Sequence, residues 1–247
     1  NSYLKCPLCF FFKTILKLPD IKSLPASFGT SVHASLSYLF NVYKDKKSLI
    51  PLEKFISIFK DNLSNQNISK PDYKLLLDKG VIILTDYYLN YKDSFNGNCL
   101  TEHDFKFYNA YLGDIPLTGK IDKIELLDGK NVNVVDFKTG KPDSKYKELT
   151  KEGDYFRQLV FYKLLCQQSL GFPYHVQSGT IDFIEKDNRG LYKKVDFKIT
   201  DQDVSELSKL ITDTYKKILN LEFAPSPKCE DKNHLHYLFE KYFKNET

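Results

Sequence analysis

Asp136 and Lys138 are two apart in the run Val132-Asn-Val-Val-Asp-Phe-Lys138-Thr-Gly140. In a β-strand residues at i and i+2 share a face, so the carboxylate and the ammonium project together from the end of an apolar strand. Asp122 stands on the preceding extended stretch, and a tight hairpin between the two stretches brings it beside Asp136. Two carboxylates and a lysine form a site for a hard divalent cation: the oxygens hold Mg²⁺ or Mn²⁺, and the ammonium orients water or balances phosphate charge. A surface Asp–Lys ion pair on an edge strand would show the same spacing. Gln158 and Tyr162 are i and i+4 on a following helical stretch, with Tyr155 one turn earlier. His33 falls in the first turn of an earlier helix, as a metal ligand or as a structural histidine.

The elements that position these residues are legible from periodicity. Residues 1–29 read as irregular, punctuated by Pro7, Pro19, Pro25 and Gly29. Helices are expected over 31–44, 51–63 and 71–91, each with apolar residues at helical spacing. Residues 101–111 alternate, with Phe105, Phe107 and Tyr111 on one side of an expected strand. Further strands are expected at 117–127 and 131–138, joined by Asp128-Gly129-Lys130. A Lys-rich loop spans 139–152, and a helix over 154–170 stops at Gly171-Phe172-Pro173. Strands at 176–185 and 191–198 turn at Asn188-Arg189-Gly190; helices over 202–220 and 232–243 complete the chain. Helices, three strands, a helix, two strands and helices describe one α/β domain with a mixed central sheet and an N-terminal helical part. Within it, 1–98 is mainly helical, 99–225 is the catalytic core and 226–247 is a C-terminal tail.

Composition narrows the classes. The 247 residues include 42% hydrophobic and 28% charged residues, a globular balance that excludes disordered, collagen-like and coiled-coil chains. No apolar run approaches a membrane span, and the Phe10–Phe12 stretch is too short for a secretory signal. Five cysteines, at 6, 9, 99, 166 and 229, do not read as a disulfide framework, so a reducing, cytoplasmic compartment is expected. Methionine is absent, so the sequence reads as processed or as part of a longer chain. The net charge of +4 is mild, and only Arg157 and Arg189 among the 36 basic residues are arginines. Lysines suit a phosphate backbone but read bases poorly, so a nucleic-acid partner would be bound with little sequence preference. Gly113-Asp-Ile-Pro-Leu-Thr-Gly119-Lys120-Ile121 imitates a P-loop. It carries one residue too many between its glycines, Ile121 replaces the Ser/Thr that would hold Mg²⁺, and Lys120 falls within a strand.

Gly119-x-Ile121-Asp122, Asp136-Phe-Lys138-Thr-Gly140 and Gln158-x-x-x-Tyr162 together resemble the successive motifs of the PD-(D/E)xK nuclease superfamily in its RecB-like branch, the branch of UvrD/RecB/AddAB-type helicase–nucleases. Gly29-x-x-x-His33 resembles that branch's histidine motif, and Tyr3-x-x-Cys6-Pro7-x-x-Phe10 its entry segment. The resemblance extends over roughly residues 1–225, and five motifs in order make it specific. It implies a restriction-endonuclease-like α/β core, with Asp122, Asp136 and His33 as ligands of Mg²⁺ or Mn²⁺. It further implies that Lys138 is the catalytic lysine and that Gln158 and Tyr162 support the active site. The implied activity is metal-dependent hydrolysis of DNA, on single strands or ends, as the nuclease domain of a repair or recombination helicase–nuclease. The motor would lie in the same full-length chain or a partner, with no membrane involved. A free-standing CRISPR-associated exonuclease and a catalytically idle DNA-binding or scaffolding domain are the rivals; the intact Asp122, Asp136 and Lys138 argue against the idle one. Many members of the branch hold an iron–sulfur cluster with one N-terminal cysteine and a C-terminal cysteine triplet. Here the C-terminal end offers only Cys229, followed by His234 and His236, so no iron–sulfur cluster is expected. Those groups with Cys6 or Cys9 either bind zinc or, for the cysteines, simply pack.

Overall fold

The computed structural model describes residues 1–19, 22–227, 229 and 241. The chain divides into two compact units, 22–207 and a smaller one formed by 1–21 with 208–247.

The larger unit begins with three helices, α3 (Leu24–Lys46), α4 (Leu52–Ser64) and α5 (Lys70–Tyr91). The first starts seven residues before its expected boundary, because the Ser23 hydroxyl accepts from the Ala26 N–H and Pro25 sits in the first turn, where its missing N–H costs nothing. Five strands follow in one sheet, with spatial order β1-β4-β5-β6-β7: β1 (Cys99–Asp104), β4 (Lys120–Asp128), β5 (Asn131–Lys138), β6 (His175–Phe183) and β7 (Lys194–Lys198). All neighbours are antiparallel except β5 and β6, which run parallel and are connected through helix α6 (Asp154–Gln168). This is the mixed α/β architecture expected from the element order.

The expected strand pattern fails between 101 and 119. The strand placed over 101–111 ends at Asp104, and two three-residue strands, β2 (Ala110–Leu112) and β3 (Ile115–Leu117), form a separate ribbon. Asp104 Oδ1 accepts the Lys106 N–H at 2.9 Å, and Asn109 adopts a left-handed backbone. The local side-chain bond bends the chain where alternation alone predicted continuation. Phe105 is consequently fully buried, whereas Phe107 is 83% exposed. The loop at 139–152 also contains a 3-10 turn, Pro142–Leu149.

Alternate residues of β5 face different neighbours. Val135 and Phe137 join Phe28, Phe40, Phe55, Phe59, Leu84 and Tyr87 in the core beneath α3–α5. Burying one such aromatic contributes roughly 1.5–3 kcal/mol. On the other face α6 approaches closely: a Cβ at Gly179 of β6 would lie 3.0 Å from Leu159. Glycine there lets the helix settle low enough for its side chains to reach the end of β5.

In the smaller unit the expected irregular N-terminus contains two four-residue helices, α1 (Ser2–Lys5) and α2 (Pro7–Phe10), and a π turn, Phe11–Ile15. Tyr3 stacks edge-on with Phe10, and its hydroxyl donates to the Glu222 carbonyl at 2.7 Å, packing that periodicity did not reveal. Helix α7 (Asp201–Leu219) runs from one unit into the other. The helix expected over 232–243 lies, apart from Lys241, outside the described residues, as do His234 and His236.

Candidate active site

β4 and β5 form the expected hairpin. Their register pairs Lys123 with Val135, so the next pair toward the open end is Asp122 and Asp136, on the face α6 covers. Asp122 Oδ2 accepts the backbone N–H of Phe137 at 2.9 Å, which fixes its carboxylate across the strands. Its other oxygen, Oδ1, lies 3.2 Å from His33 Nδ1. The histidine arrives from α3, whose first turns pass beside the end of β5: a Cβ at Gly29 would meet Thr139 Oγ1 at 3.5 Å. Burial alone would lower the His33 pKa, but the hydrogen bond and charge of Asp122, with the charges of Asp136 and Glu102, hold it above its ordinary value.

Asp136 is 2% exposed and closes a ring of polar contacts. Its Oδ1 accepts from the Tyr162 hydroxyl at 2.9 Å, and that hydroxyl accepts from Gln158 Nε2 at 2.8 Å. Gln158 Oε1 accepts from Lys138 Nζ at 2.8 Å, and the ammonium lies 2.6 Å from Asp136 Oδ2. Lys138 also stands over the Tyr155 ring at 4.4 Å. Burial, reinforced by the charge of Asp122, raises the Asp136 pKa against the opposing pull of Lys138 and Tyr162. Burial and the same two carboxylates push the Tyr162 hydroxyl far above its ordinary value, so it remains a donor. The sequence therefore places Asp122, Asp136, Lys138, Gln158, Tyr162 and His33 in one locality, with Tyr155 as the wall beneath the lysine.

One residue escaped the sequence reading. Glu102 of β1 stands opposite Asp122, and ligand atoms of His33, Glu102 and Asp122 all lie within 4.8 Å of one another. Its backbone has φ of 48°, a left-handed conformation inside a strand that is unfavourable for a side-chain-bearing residue. Lys120 contacts its Oε2 at 2.6 Å. No spacing rule links a carboxylate on one edge strand to a motif on its neighbour; only the pairing of β1 with β4 does.

The donor set suits a hard divalent cation. Glu102, Asp122 and His33 converge, Asp136 stands across the hairpin from Asp122, and none of these donors is a thiolate. Asp136 Oδ2 is buried, with the Lys138 ammonium as its charged neighbour at 2.6 Å. The burial that raises the Asp136 pKa is a cost that a bound cation would offset.

The fragment that imitates a P-loop lies at the start of β4, with Lys120 paired to Glu102 rather than at a helix N-terminus. Among the described residues no helix is long and apolar enough to cross a membrane.

A family model described as the PD-(D/E)XK nuclease superfamily matches residues 1–231. No curated protein matches the sequence. Among solved structures, one described as "Crystal structure of SSO0001" aligns over 94% of this chain and 92% of its own, at 14% identity and a TM-score of 0.38.

Proposed function

The chain belongs to the PD-(D/E)XK nuclease superfamily, whose members are typically nucleases that use divalent metal ions, and from that premise we propose a Mg²⁺- or Mn²⁺-dependent deoxyribonuclease of the RecB-like branch. It acts on single strands or DNA ends with little sequence preference, within or beside a DNA repair or recombination helicase. The observation that supports this best is the convergence of Asp122, Asp136 and Lys138 at the end of the β4–β5 hairpin, with ligand atoms of His33 and Glu102 within 4.8 Å of Asp122. The contact of His33 with Asp122 supports the RecB-like assignment, although His33 lies in the third turn of α3 and not in the first, because the helix begins at Leu24.

Asp122, Asp136, His33 and Glu102 would hold the cation. When bound, it supplies Lewis-acid polarisation of the scissile phosphate and lowers the pKa of a coordinated water. Lys138 places a positive charge where the phosphorane-like charge develops, and Gln158 fixes the ammonium's direction through a single acceptor. Tyr162 and the Phe137 N–H orient the two aspartates, so the ligand oxygens need no reorganisation during turnover. The segment after β5 carries Lys145 and Lys147, whose charges can meet a phosphate backbone, and Tyr146, 55% exposed, has Lys193 Nζ over its ring at 4.4 Å.

Lysine-based contacts give salt-sensitive, sequence-tolerant binding, and no described segment forms a phosphate-binding loop that would drive strand separation. The isolated chain should therefore cut single-stranded DNA slowly, and degrade long duplex efficiently only when a motor feeds it a separated strand. The test compares mixed-sequence single strands with blunt duplexes at two salt concentrations without ATP. Rapid duplex cleavage at one defined sequence would reject the reading in favour of a restriction-type enzyme.

A further inference from the structure

The smaller unit contains a second group of metal-ligating side chains, of different chemistry and distinct from the carboxylate cluster. The Sγ atoms of Cys6, Cys9 and Cys229 all lie within 4.8 Å of one another, with Cys9 and Cys229 3.5 Å apart. Cys6 is 2% and Cys229 7% exposed, with Leu8 and Phe12 packed against them. None of the three is in a disulfide. Cys6 and Cys9 flank a single helical turn, closed by the bond from the Phe10 N–H to the Cys6 carbonyl at 3.0 Å, and the turn carries both thiols to the side where Cys229 arrives.

Thiolates around a tetrahedral Zn²⁺, at about 2.3 Å from the metal, stand ~3.8 Å from one another. The Cys9–Cys229 pair is already at 3.5 Å and the other two separations do not exceed 4.8 Å, so shifts of about 1 Å or less bring the sulfurs to that spacing. An iron–sulfur cluster takes four thiolates, and this group supplies three among the described residues. The two other cysteines, Cys99 in β1 and Cys166 in α6, are buried in the larger unit. The resemblance to cluster-bearing nucleases thus stops at this donor set.

We propose that Cys6, Cys9 and Cys229 form a structural zinc site that staples the N-terminal segment to the segment after α7, with their three thiolates as the metal's protein ligands among the described residues. Such a site closes a loop of nearly the whole chain without entering the hydrolytic chemistry, and its existence does not depend on the nuclease reading.

The full chain, purified under reducing conditions from zinc-supplemented medium and dialysed against excess Mg²⁺, should retain one zinc per chain by elemental analysis. Asp136→Asn should retain it as well, whereas Cys229→Ser should lose it. Because Cys229→Ser can also perturb folding, a second readout uses the intact protein: Co²⁺ added to the demetallated chain should give thiolate-to-cobalt charge-transfer absorption and the intense visible bands of tetrahedral Co²⁺. Zinc retained by Cys229→Ser, iron with acid-labile sulfide, a Cys9–Cys229 disulfide in the reduced preparation, or cobalt spectra without charge transfer would each overturn the proposal.

Discussion

The tripeptide Asp-Phe-Lys occurs at 136–138 on β5 and again at 196–198 on β7, with the same spacing and the same residue types. On β5, a central strand, Asp136 is buried, Phe137 stacks on Phe40 and His33, and Lys138 is held by Gln158. On β7, an edge strand, Asp196 and Lys198 are exposed, and Asp196 merely accepts a hydrogen bond from Thr180 Oγ1 at 2.6 Å. A third copy, 104–106, ends β1 and uses its aspartate to bend the chain. The difference lies in what stands opposite. Asp136 faces Asp122 across the hairpin and so accumulates negative charge that its neighbours only partly balance. On the face of the sheet beneath α3–α5, by contrast, Asp182 accepts from Tyr87 at 2.8 Å and contacts Lys194 at 2.9 Å, while Lys123 contacts Glu125 at 2.8 Å over the Phe40 ring. Buried charges that neutralise one another hold structure; a buried surplus of one sign marks a place for a counter-ion.

The comparison is broken or sharpened most directly by matched substitutions. Asp136→Asn should reduce Mg²⁺-dependent cleavage of single-stranded DNA by on the order of 10³-fold or more, the several kcal/mol that a metal centre supplies, with DNA binding preserved. Asp196→Asn should change it less than about 2-fold, as expected of an exposed group. Equal losses in single-turnover assays would show that the β5 copy is not special. Next in size, Lys138→Met should cost about 10²–10³-fold, the usual value of one preorganised charge stabiliser, and Lys198→Met almost nothing.

His33→Ala should weaken metal binding rather than the chemical step, so excess Mn²⁺ should restore part of the activity; normal metal affinity without rescue would make the residue purely structural. Its pKa supplies a further, smaller effect. A folded-state value raised above 6.5 means that the His33–Asp122 contact stabilises the metal-free protein fully below that pH, and this contribution disappears as pH rises through the raised value. In EDTA, thermal unfolding should show a decline above about pH 6.5 that His33→Ala flattens, by about 1 kcal/mol or less given the partial exposure of the pair. Tyr162→Phe should lower kcat by about 10-fold with KM unchanged, because it frees one oxygen of Asp136 without removing the carboxylate.

Much of the site was legible because its parts are local. Strand periodicity put Asp136 and Lys138 on one face, the Asp128-Gly129-Lys130 turn returned Asp122 to them, and helical spacing paired Gln158 with Tyr162. The long helices were legible for the same reason, with errors at their starts, where capping at Ser23 and proline tolerance extend a pattern that apolar spacing cannot see. The ribbon at 110–117 was missed because a side-chain-to-backbone bond at Asp104 outweighed alternation, and Glu102 because its partner is on another strand.

The sequence by itself determined the residue types, their order and their local periodicity, and with these the α/β class and the family, since side-chain direction follows from the backbone period alone. Only the tertiary structure decided which of three Asp-Phe-Lys copies sits against a second carboxylate, that Glu102 joins His33 and Asp122, and that Cys6, Cys9 and Cys229 meet across nearly the whole chain. Those outcomes depend on strand neighbours and burial, which set the local charge balance and the desolvation of each group, and no residue carries that information until its partners are in place.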